Sequence, residues 1–347
     1  MKVIHQIQPE ANIMVAENRQ IILESVPDGA LREADFRLQP APMPEPGHGE
    51  LLIKTLYMSL DAANRAWMQG PTYRDAVVGG DVMPTYAIGR VVQSRDASVP
   101  AGSVVEAEGL WADFFIASAK DAKIVPDVPP LSHRMSILGI AGRTAYFGLL
   151  NVGRPEAGET IVVSAAAGSV GSLVGQIAKL KGCRAVGIAG GPEKCAWLVE
   201  ELGFDAAVDY KSGNLFKDLK AASPHGVDIY FDNVGGETLE TVLFQMNLHG
   251  RVVCCGAVSQ YDLVNPIGPR NLPGLVVVKR LRMEGFIALD YPEQEAQAEA
   301  ELRAWVEEGK LTVVEDIVDG LENAPSALIG LLNGENRGKR MVRVASG

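Results

Sequence analysis

The middle of the chain alternates short apolar, β-branched runs with longer stretches of helical periodicity. After residue 131, the strand candidates occupy 161–164, 184–188, 206–210, 227–232, 251–256 and 281–288. Strands that alternate with helices are typical of a parallel sheet covered by helices on both faces. The pattern therefore predicts a doubly wound α/β domain.

The segment before it has a different pattern. Short runs of alternating apolar and polar residues, such as 50–57, are separated by turns rich in proline and glycine, which predicts antiparallel β structure. The tail of the chain, at 338–344, has mixed character and predicts a strand that rejoins this first unit. We thus expect a β-rich domain over 1–130, an α/β domain over 131–315 and a return segment over 316–347.

The most informative turn follows the first strand of the α/β domain. It contains Ala166-x-Gly168-x-x-Gly171, the dinucleotide fingerprint G-x-G-x-x-G with alanine in place of the first glycine. Gly168 would let the backbone approach a pyrophosphate, and Gly171 would let the helix 172–181 pack against the strand with its N-terminus at the phosphates. Small-residue turns also occur in α/β proteins that bind no nucleotide, so this stretch alone leaves both interpretations open.

The second strand of this unit ends without the acidic residue that selects NAD. In enzymes that prefer NAD, Asp or Glu at this place binds the ribose 2′-hydroxyl, whereas here residues 189–192 read AGGP and Lys194 follows. A cation beside an uncharged strand end favours the 2′-phosphate of NADP. The alternative is that Lys194 is a solvated charge in the helix 193–202, and the fingerprint favours the first interpretation.

Composition narrows the class of partners. The 347 residues carry a formal net charge of −11, which argues against a nucleic-acid partner or an anionic membrane surface. No apolar run reaches the ~18 residues of a membrane span, and the N-terminus lacks the features of a secretory signal, so we expect a cytoplasmic protein. The four cysteines and five histidines have no metal-ligand spacing, and no metal site is expected.

Six short motifs together resemble the medium-chain dehydrogenase/reductase superfamily. They are LYMSLD at 56–61, GRTAYFG at 142–148, AAAGSVG at 165–171, YFDNVGG at 230–236, CGAVS at 255–259 and GENRGK at 334–339. The resemblance covers nearly the whole chain and implies a GroES-like β-rich domain followed by a Rossmann domain that binds NADPH. The Gly-His-Glu motif and four-cysteine lobe of zinc-dependent relatives are missing. The chain therefore looks like the zinc-independent branch that contains leukotriene B4 12-hydroxydehydrogenase/prostaglandin reductases and alkenal double-bond reductases.

Carried over position by position, the resemblance implies a set of cofactor-binding and catalytic residues. Those that would bind the cofactor are Gly168, Ser169, Val170 and Gly171 at the pyrophosphate, Lys194 and Tyr210 at the 2′-phosphate, Thr144 on the nicotinamide side, and Asn233, Cys255, Ser259 and Asn336 along the crevice. Tyr57 and Tyr261 match tyrosines that line the substrate pocket of double-bond reductases. For Tyr57, an aromatic side chain that packs across two strands is an equal alternative.

The chain departs from the family pattern at two places near the substrate. Residues 62–65 read AANR where relatives usually have Pro-Tyr-Met-Arg, and Arg143 stands where they usually have an apolar residue. Arg143 would either hold a carboxylate substrate or pair with a neighbouring acid, and the sequence does not choose between these roles. Both departures leave the identity of the substrate open.

The missing zinc ligands and the resemblance together favour one reaction. Hydride addition to a carbon–carbon double bond conjugated to a carbonyl needs positioning and oxyanion stabilisation but no metal. We therefore expect NADPH-dependent 1,4-reduction of an α,β-unsaturated aldehyde or ketone, with the proton supplied by Tyr261, Tyr57, the cofactor ribose or water. A quinone reductase and a non-catalytic NADPH-binding protein are the alternatives, and the family suggests a homodimer through the sheet edge near 281–288.

Overall fold

The computed structural model describes residues 17–345. The N-terminal segment 1–16, which carries the expectation that there is no secretory signal, lies outside the described residues, as do residues 346–347.

The first domain is rich in β structure. Its strands are β1 (Glu17–Leu23), β2 (Phe36–Pro42), β3 (Glu50–Ser59), β4 (Pro84–Ser94), β5 (Val104–Leu110), β6 (Phe114–Ser118) and β7 (Lys123–Ile124). In the main sheet, β3, β4, β5 and β7 are neighbours in that order and pair antiparallel. The first half of β3 also pairs with β6, and β1 forms a separate two-stranded sheet with β2.

A six-stranded parallel sheet forms the second domain. Its strands are β8 (Thr160–Val163), β9 (Arg184–Ala189), β10 (Ala206–Asp209), β11 (Val227–Asp232), β12 (Met246–Cys254) and β13 (Arg282–Gly285). The spatial order is β10-β9-β8-β11-β12-β13, and every neighbouring pair is parallel. This is the doubly wound order, in which the chain starts at the centre and proceeds first to one edge and then to the other. The predicted fold class is confirmed.

The return segment supplies two more strands to the first domain. β14 (Glu315–Asp319) pairs parallel with β15 (Lys339–Arg343), and β15 pairs antiparallel with the end of β3. The strand predicted at 338–344 therefore lies in the sheet of the first domain. The domain limits at residues 130 and 315 stay predictions.

Most helices belong to the second domain, where they cover both faces of the parallel sheet, whereas the first and the last helix of the chain pack in a core of the first domain. Their bounds are α1 (Ala63–Ala66), α2 (Ile140–Phe147), α3 (Ser169–Leu180), α4 (Pro192–Glu200), α5 (Leu215–Ala222), α6 (Gly236–Gln245), α7 (Leu272–Lys279), α8 (Glu295–Glu307) and α9 (Ala324–Leu332). Successive residues of a strand face opposite sides of a sheet. Accordingly Ile161 packs into the core on one face, while Val162 and Tyr230 pack into the core on the other.

One strand is shorter than its apolar pattern predicts. β13 ends at Gly285, whereas the apolar run continues to residue 288. Phe286, Ile287 and Ala288 line the cavity between the domains instead of pairing in the sheet. The apolar character of these three residues is therefore explained by their place in the cavity wall and does not indicate a longer strand.

Candidate active site

A cavity of about 620 Å³ lies between the two domains. One wall is formed by the segments that follow β8, β9, β11 and β12, and another by α1, β4 and the loop between them. Open α/β sheets bind their ligands beyond the carboxyl ends of the strands. The cavity is therefore the candidate active site.

The turn between β8 and α3 forms part of this cavity. Gly168 is the N-cap residue of α3, and Gly168, Ser169, Val170 and Gly171 all line the cavity. A Cβ atom at Gly171 would overlap the carbonyl oxygen of Ala165, so glycine is required for the helix to come this close to the turn. Because the first turn of a helix has N–H groups without intrahelical partners, this end of α3 fits the phosphates of a dinucleotide.

A cluster of cations surrounds Lys194. Its ammonium donates hydrogen bonds to the carbonyl oxygens of Gly334 (2.5 Å) and Asn336 (2.6 Å). Partial burial lowers the pKa of Lys194, and the nearby cations Arg337 and Lys211 lower it further. Such a concentration of positive charge attracts an anion, as the 2′-phosphate of NADP requires. Lys194 is thus half-buried and hydrogen-bonded, unlike a solvated surface charge. Sequence analysis did not identify Arg337 as part of this cluster, because Arg337 is distant from Lys194 along the chain.

Replacing Lys194 with alanine is expected to lower kcat/KM for NADPH about tenfold to a hundredfold, or roughly 1.5–3 kcal/mol, because a charge-assisted hydrogen bond to the phosphate is lost. Little change is expected with NADH, which lacks that phosphate. The substitution also removes the two hydrogen bonds from Lys194 to the carbonyl oxygens of Gly334 and Asn336, whichever cofactor is used. Any change in kcat/KM with NADH therefore measures the effect of losing these two bonds. Lys179→Ala removes a cation that pairs with Asp205 (2.7 Å) away from the cavity and serves as the control. Equal use of both cofactors by the wild type would contradict the assignment.

Tyr210 lies at the same end of the cavity. Its side chain is about half exposed, and its ring centre is 5.8 Å from the ammonium of Lys211. A Cβ atom at Gly190 would lie 3.0 Å from both of these side chains, so the glycine at the end of β9 keeps this surface open. The arrangement fits the adenosine end of a dinucleotide.

Three of the residues predicted at the crevice lie beyond β11 and β12, and all three line the cavity. Asn233 donates from Nδ2 to the carbonyl oxygen of Ser164 (2.8 Å), and Ser259 donates from Oγ to the carbonyl oxygen of Val234 (2.7 Å). Burial raises the pKa of the Cys255 thiol to about 12. Cys255 is therefore a neutral thiol at physiological pH and has little nucleophilic character.

Asn336 reaches the cavity from the return segment. Its side chain is buried and donates from Nδ2 to the carbonyl oxygen of Gly338 (2.8 Å). The N–H of Gly338 in turn donates to the carbonyl oxygen of Ala167 (2.8 Å), and Gly338 forms an isolated parallel bridge with Gly168. The return segment is thus bonded directly to the fingerprint turn.

The first domain supplies an aromatic wall made of Trp67, Tyr73 and Tyr86. Sequence analysis did not identify these residues, because no motif surrounds them and only the tertiary fold brings them to the cavity. Burial raises the pKa of Tyr73, and it raises the pKa of Tyr86 to about 12. Both phenols are therefore protonated at physiological pH.

Tyr261 lines the cavity from the loop after β12. Its hydroxyl oxygen accepts a hydrogen bond from the N–H of Ala257 (3.2 Å), which leaves the hydroxyl proton free to be donated. Burial raises the pKa of Tyr261, so this phenol is also protonated. Tyr261 is placed to act as a hydrogen-bond or proton donor toward a bound substrate.

The other tyrosine taken from the resemblance, Tyr57, does not line the cavity. It lies on β3 opposite Ile88 of β4 and Arg343 of β15. Its side chain packs against an apolar cluster that includes Leu56 and Met341. The structure therefore favours the alternative interpretation, in which Tyr57 is a packing aromatic, and its role as a proton donor stays a prediction.

The neighbours Thr144 and Arg143 have different roles. Thr144 lines the cavity, and its hydroxyl donates to the carbonyl oxygen of Ile140 (2.7 Å). Arg143 is buried and pairs with Glu106 (2.6 Å) and Glu295 (2.7 Å). Of the two roles open for Arg143, the structure selects the pairing with neighbouring acids.

The departure at 62–65 changes the lining of the cavity. Ala62, Ala63 and Ala66 all contribute to it, so small apolar side chains occupy this part of the wall. Arg65 is buried and donates from Nε to the carboxylate of Asp262 (2.7 Å), which lies next to Tyr261 in the sequence.

Residues 17–345 lack two features, a cluster of metal-ligating side chains and a membrane-spanning helix. No three side chains of His, Cys, Asp or Glu in this range come together as a group that would hold a metal ion. Within the same range, no helix combines the length and the apolar composition needed to cross a membrane.

The doubly wound sheet, the fingerprint turn and the cation cluster define a dinucleotide-binding protein of two domains. Sequence comparison agrees with this class. Residues 19–125 match a family described as the N-terminal domain of oxidoreductase, and residues 169–305 match a family described as zinc-binding dehydrogenase.

Individual relatives identify the branch. The NADPH-dependent curcumin reductase of Escherichia coli is 44% identical over 335 residues, which cover 94% of this chain and 97% of the relative. The NADP-dependent 2-alkenal reductase of Nicotiana tabacum is 39% identical, with 94% and 98% covered. The crystal structure of CurA from Vibrio vulnificus in complex with NADPH superposes with a TM-score of 0.91 at 39% identity, covering 95% of this chain and 100% of that one. The chain belongs to the zinc-independent branch of the medium-chain dehydrogenase/reductase family.

Proposed function

We propose that the protein reduces the carbon–carbon double bond of α,β-unsaturated aldehydes or ketones with NADPH. The observation that carries the proposal is the cavity itself, which joins the fingerprint turn and the Lys194 cluster to the aromatic wall and Tyr261. The relatives support it, since those that align over nearly the whole chain include a curcumin reductase and a 2-alkenal reductase that use NADPH or NADP.

NADPH, when bound, supplies a hydride to the β-carbon of the conjugated system. The negative charge then moves to the carbonyl oxygen of the substrate, where hydrogen-bond donors stabilise it. The hydroxyl of Tyr261 is one such donor and also the proposed source of the proton for the α-carbon. Thr144 is less suited to this role because its hydroxyl is already bonded to the carbonyl oxygen of Ile140. The cavity lies between the two domains, which limits the access of water to the reacting atoms.

The test is NADPH oxidation with three acceptors: an enone, the matching saturated ketone and a quinone. The two possible products of the enone have the same mass, so gas chromatography against authentic saturated ketone and allylic alcohol, together with proton NMR, identifies the reduced bond. We expect a saturated ketone that is two hydrogens heavier than the enone, and no turnover of the saturated ketone. An allylic alcohol as product would contradict the proposal. Turnover of the quinone alone would favour a quinone reductase, and no turnover of any acceptor would favour a non-catalytic NADPH-binding protein.

We also propose a cytoplasmic location and a homodimer. β13 is an edge strand of the parallel sheet, and the loop and helix that precede it in the chain carry apolar side chains that face solvent, among them Val264, Ile267, Val277 and Val278, each more than 60% exposed. An exposed patch of this kind is typical of an interface between subunits.

The dimer proposal predicts that sedimentation velocity gives twice the mass of the chain for the wild type. Val277→Asp places a charge in the proposed interface and is expected to give a monomer. Val92→Asp, at an exposed valine of the first domain, is the control and should remain a dimer. A monomeric wild type at micromolar concentration would contradict the proposal.

A further inference from the structure

A group of charged side chains crosses from the first domain to the second beside the cavity. We refer to it as the interdomain network, and its members are Glu106, Lys123, Arg134, Arg143, Glu295 and Glu299. Lys123 on β7 lies 2.6 Å from the carboxylate of Glu295 at the start of α8, and Arg134 lies 2.8 Å from that of Glu299. The network therefore ties strands of the first domain to a helix that packs on the second.

Arg143 is the centre of the interdomain network. Its guanidinium lies 2.6 Å from Oε1 of Glu106 on β5 and 2.7 Å from Oε1 of Glu295 on α8. The side chains of Arg143 and Glu106 are only 10% and 9% exposed, respectively. One side chain of α2 thus binds both domains in an environment with little water, where electrostatic attraction is strong and directional.

The elements that Arg143 joins carry two walls of the cavity. Three residues of α2 line it: Ile140, Ala141 and Thr144. Arg143 itself does not line the cavity. On the side of the first domain, Tyr86 pairs in register with Glu108, so Glu106 is the diagonal neighbour of Tyr86 on the same face of the sheet. The contact between Arg143 and Glu106 therefore joins the helix of one wall to the strand next to the one that carries Tyr86 in the other.

Stability does not account for this buried pair. Desolvation offsets much of the attraction between two buried charges, and apolar residues of similar size often stabilise a fold equally well. Arg143 Nε and Glu106 Oε2 are also buried without a hydrogen-bond partner within residues 17–345, which adds a further cost. A guanidinium with two carboxylates nevertheless fixes a relative orientation that apolar contacts leave adjustable.

We propose that Arg143 is a positioning residue. Through Glu106 and Glu295 it holds the α2 wall and the Tyr86 wall of the cavity at the separation that aligns the conjugated double bond for hydride transfer. The inference rests on the proposed enone reduction and adds to it a residue that touches neither substrate nor cofactor.

Three variants test the role. Arg143→Met leaves Glu106 buried without its partner, so both the Tm and kcat should fall. Arg143→Met combined with Glu106→Met removes that unpaired charge, and its Tm should return to the wild-type value. Arg303→Met is the matched control, because Arg303 also pairs with Glu299 (3.1 Å), but within α8 alone. For each variant we would measure the Tm, kcat with an enone, and the NADPH Kd by fluorescence titration.

We expect the double variant to regain stability but not activity. Its kcat should stay about tenfold to a hundredfold below that of the wild type, the size of effect that misalignment of reactants produces, while the NADPH Kd stays unchanged because the phosphate-binding residues are elsewhere. A double variant with both wild-type Tm and wild-type kcat would overturn the proposal, and so would an equal loss of kcat in Arg303→Met. If the double variant does not fold, Glu106→Gln, which keeps the shape of the side chain and removes its charge, should lower kcat even when assayed well below its own Tm, and a wild-type kcat would overturn the proposal.

Amide hydrogen exchange separates this inference from the proposed function. It is measured without substrate, so it applies even if the wild type reduces no enone. Backbone amides of residues 84–88 and 140–144 should exchange faster in the double variant than in the wild type and in Arg303→Met. If the double variant does not fold, Glu106→Gln takes its place in this comparison. Equal protection in all of them would mean that the interdomain network does not set the geometry of the cavity.

Discussion

Replacing Gly168 with alanine should leave the fold intact and weaken NADPH binding about tenfold to a hundredfold, or roughly 1.4–2.8 kcal/mol. The backbone of Gly168 is extended (φ −84°, ψ −178°), which alanine adopts without strain. An added Cβ atom would meet only the carbonyl oxygen of Ala165, at 3.2 Å, and would otherwise project into open space. Since Gly168 lines the cavity at the N-terminus of α3, that space is where the pyrophosphate would approach the backbone. Isothermal titration with NADPH and a thermal melt measure the two effects.

Gly171→Ala is the matched substitution three residues later. Its Cβ atom would overlap the carbonyl oxygen of Ala165 and lie 2.8 Å from the Cα of Ala166, both of them rigid backbone atoms. Overpacking of this kind should lower the free energy of unfolding by about 3 kcal/mol or more. The two substitutions should therefore have different effects, since Gly168→Ala weakens cofactor binding and Gly171→Ala destabilises the fold. Normal NADPH affinity in Gly168→Ala would mean that the pyrophosphate does not approach this turn.

Tyr261→Phe should lower kcat about tenfold to a thousandfold while the NADPH affinity stays near that of the wild type. The substitution keeps the ring, which packs in the wall of the cavity, and removes the hydroxyl that would stabilise the enolate and donate its proton. An interaction made only in the transition state lowers kcat when it is lost, without changing the ground-state affinity for the cofactor. Because burial raises the pKa of Tyr261, the phenol stays protonated across the neutral range, and kcat should not fall there through its ionisation.

The chain offers a matched control and two competitors for this role. Tyr57→Phe makes the same change outside the cavity and should turn over at the wild-type rate. Tyr73→Phe and Tyr86→Phe remove the two other phenols that line the cavity. If Tyr261→Phe keeps the wild-type kcat and Tyr86→Phe or Tyr73→Phe loses it, the donor belongs to the first domain. Wild-type rates in all of these variants would assign the proton to the cofactor ribose or to water.

The parts of the site that depend on local sequence could be predicted well. The alternation of apolar runs and helical patterns is enough to predict the strands of the α/β domain and the helices between them, because strand and helix differ in period. The fingerprint at 166–171 is likewise local, since a tight turn, a glycine and a helix N-terminus follow one another along the chain. These features need no knowledge of distant contacts.

The parts that depend on distant contacts could not be predicted. Lys194 was expected at the cofactor phosphate, but its bonds to carbonyls 140 and 142 residues further along the chain carry no signature in its surroundings. Tyr73 and Tyr86 reach the cavity only when the two domains meet. The sequence leaves two roles open for Arg143 because its acidic partners, Glu106 and Glu295, lie on two different elements.

Tyr57 shows how a motif can match while the side chain lies elsewhere. Alternation along β3 indicates that its residues face opposite sides of the sheet, but it does not tell which side faces the cavity. The pairing of β3 with β4 shifts register between Thr55 and Tyr57. An irregularity of this kind moves the following side chains relative to a simple alternation, so counting along the strand is unreliable at this position.

The hydrogen bond from Gly338 to Ala167 bears on the order in which the molecule is made. The first domain leaves the ribosome before the second, but its sheet includes β15, which comes almost at the opposite end of the described chain. Lys339, the first residue of β15, is buried and donates a hydrogen bond to the carbonyl oxygen of Leu60. The part of the cavity near α1 is therefore also incomplete until Lys339 has been added. The domain that is synthesised first is thus completed last, and the fingerprint turn gains its bond to Gly338 at the same moment. During translation the nascent chain can fold its parallel sheet, but it cannot assemble the cavity between the domains before residues 338–343 have been added.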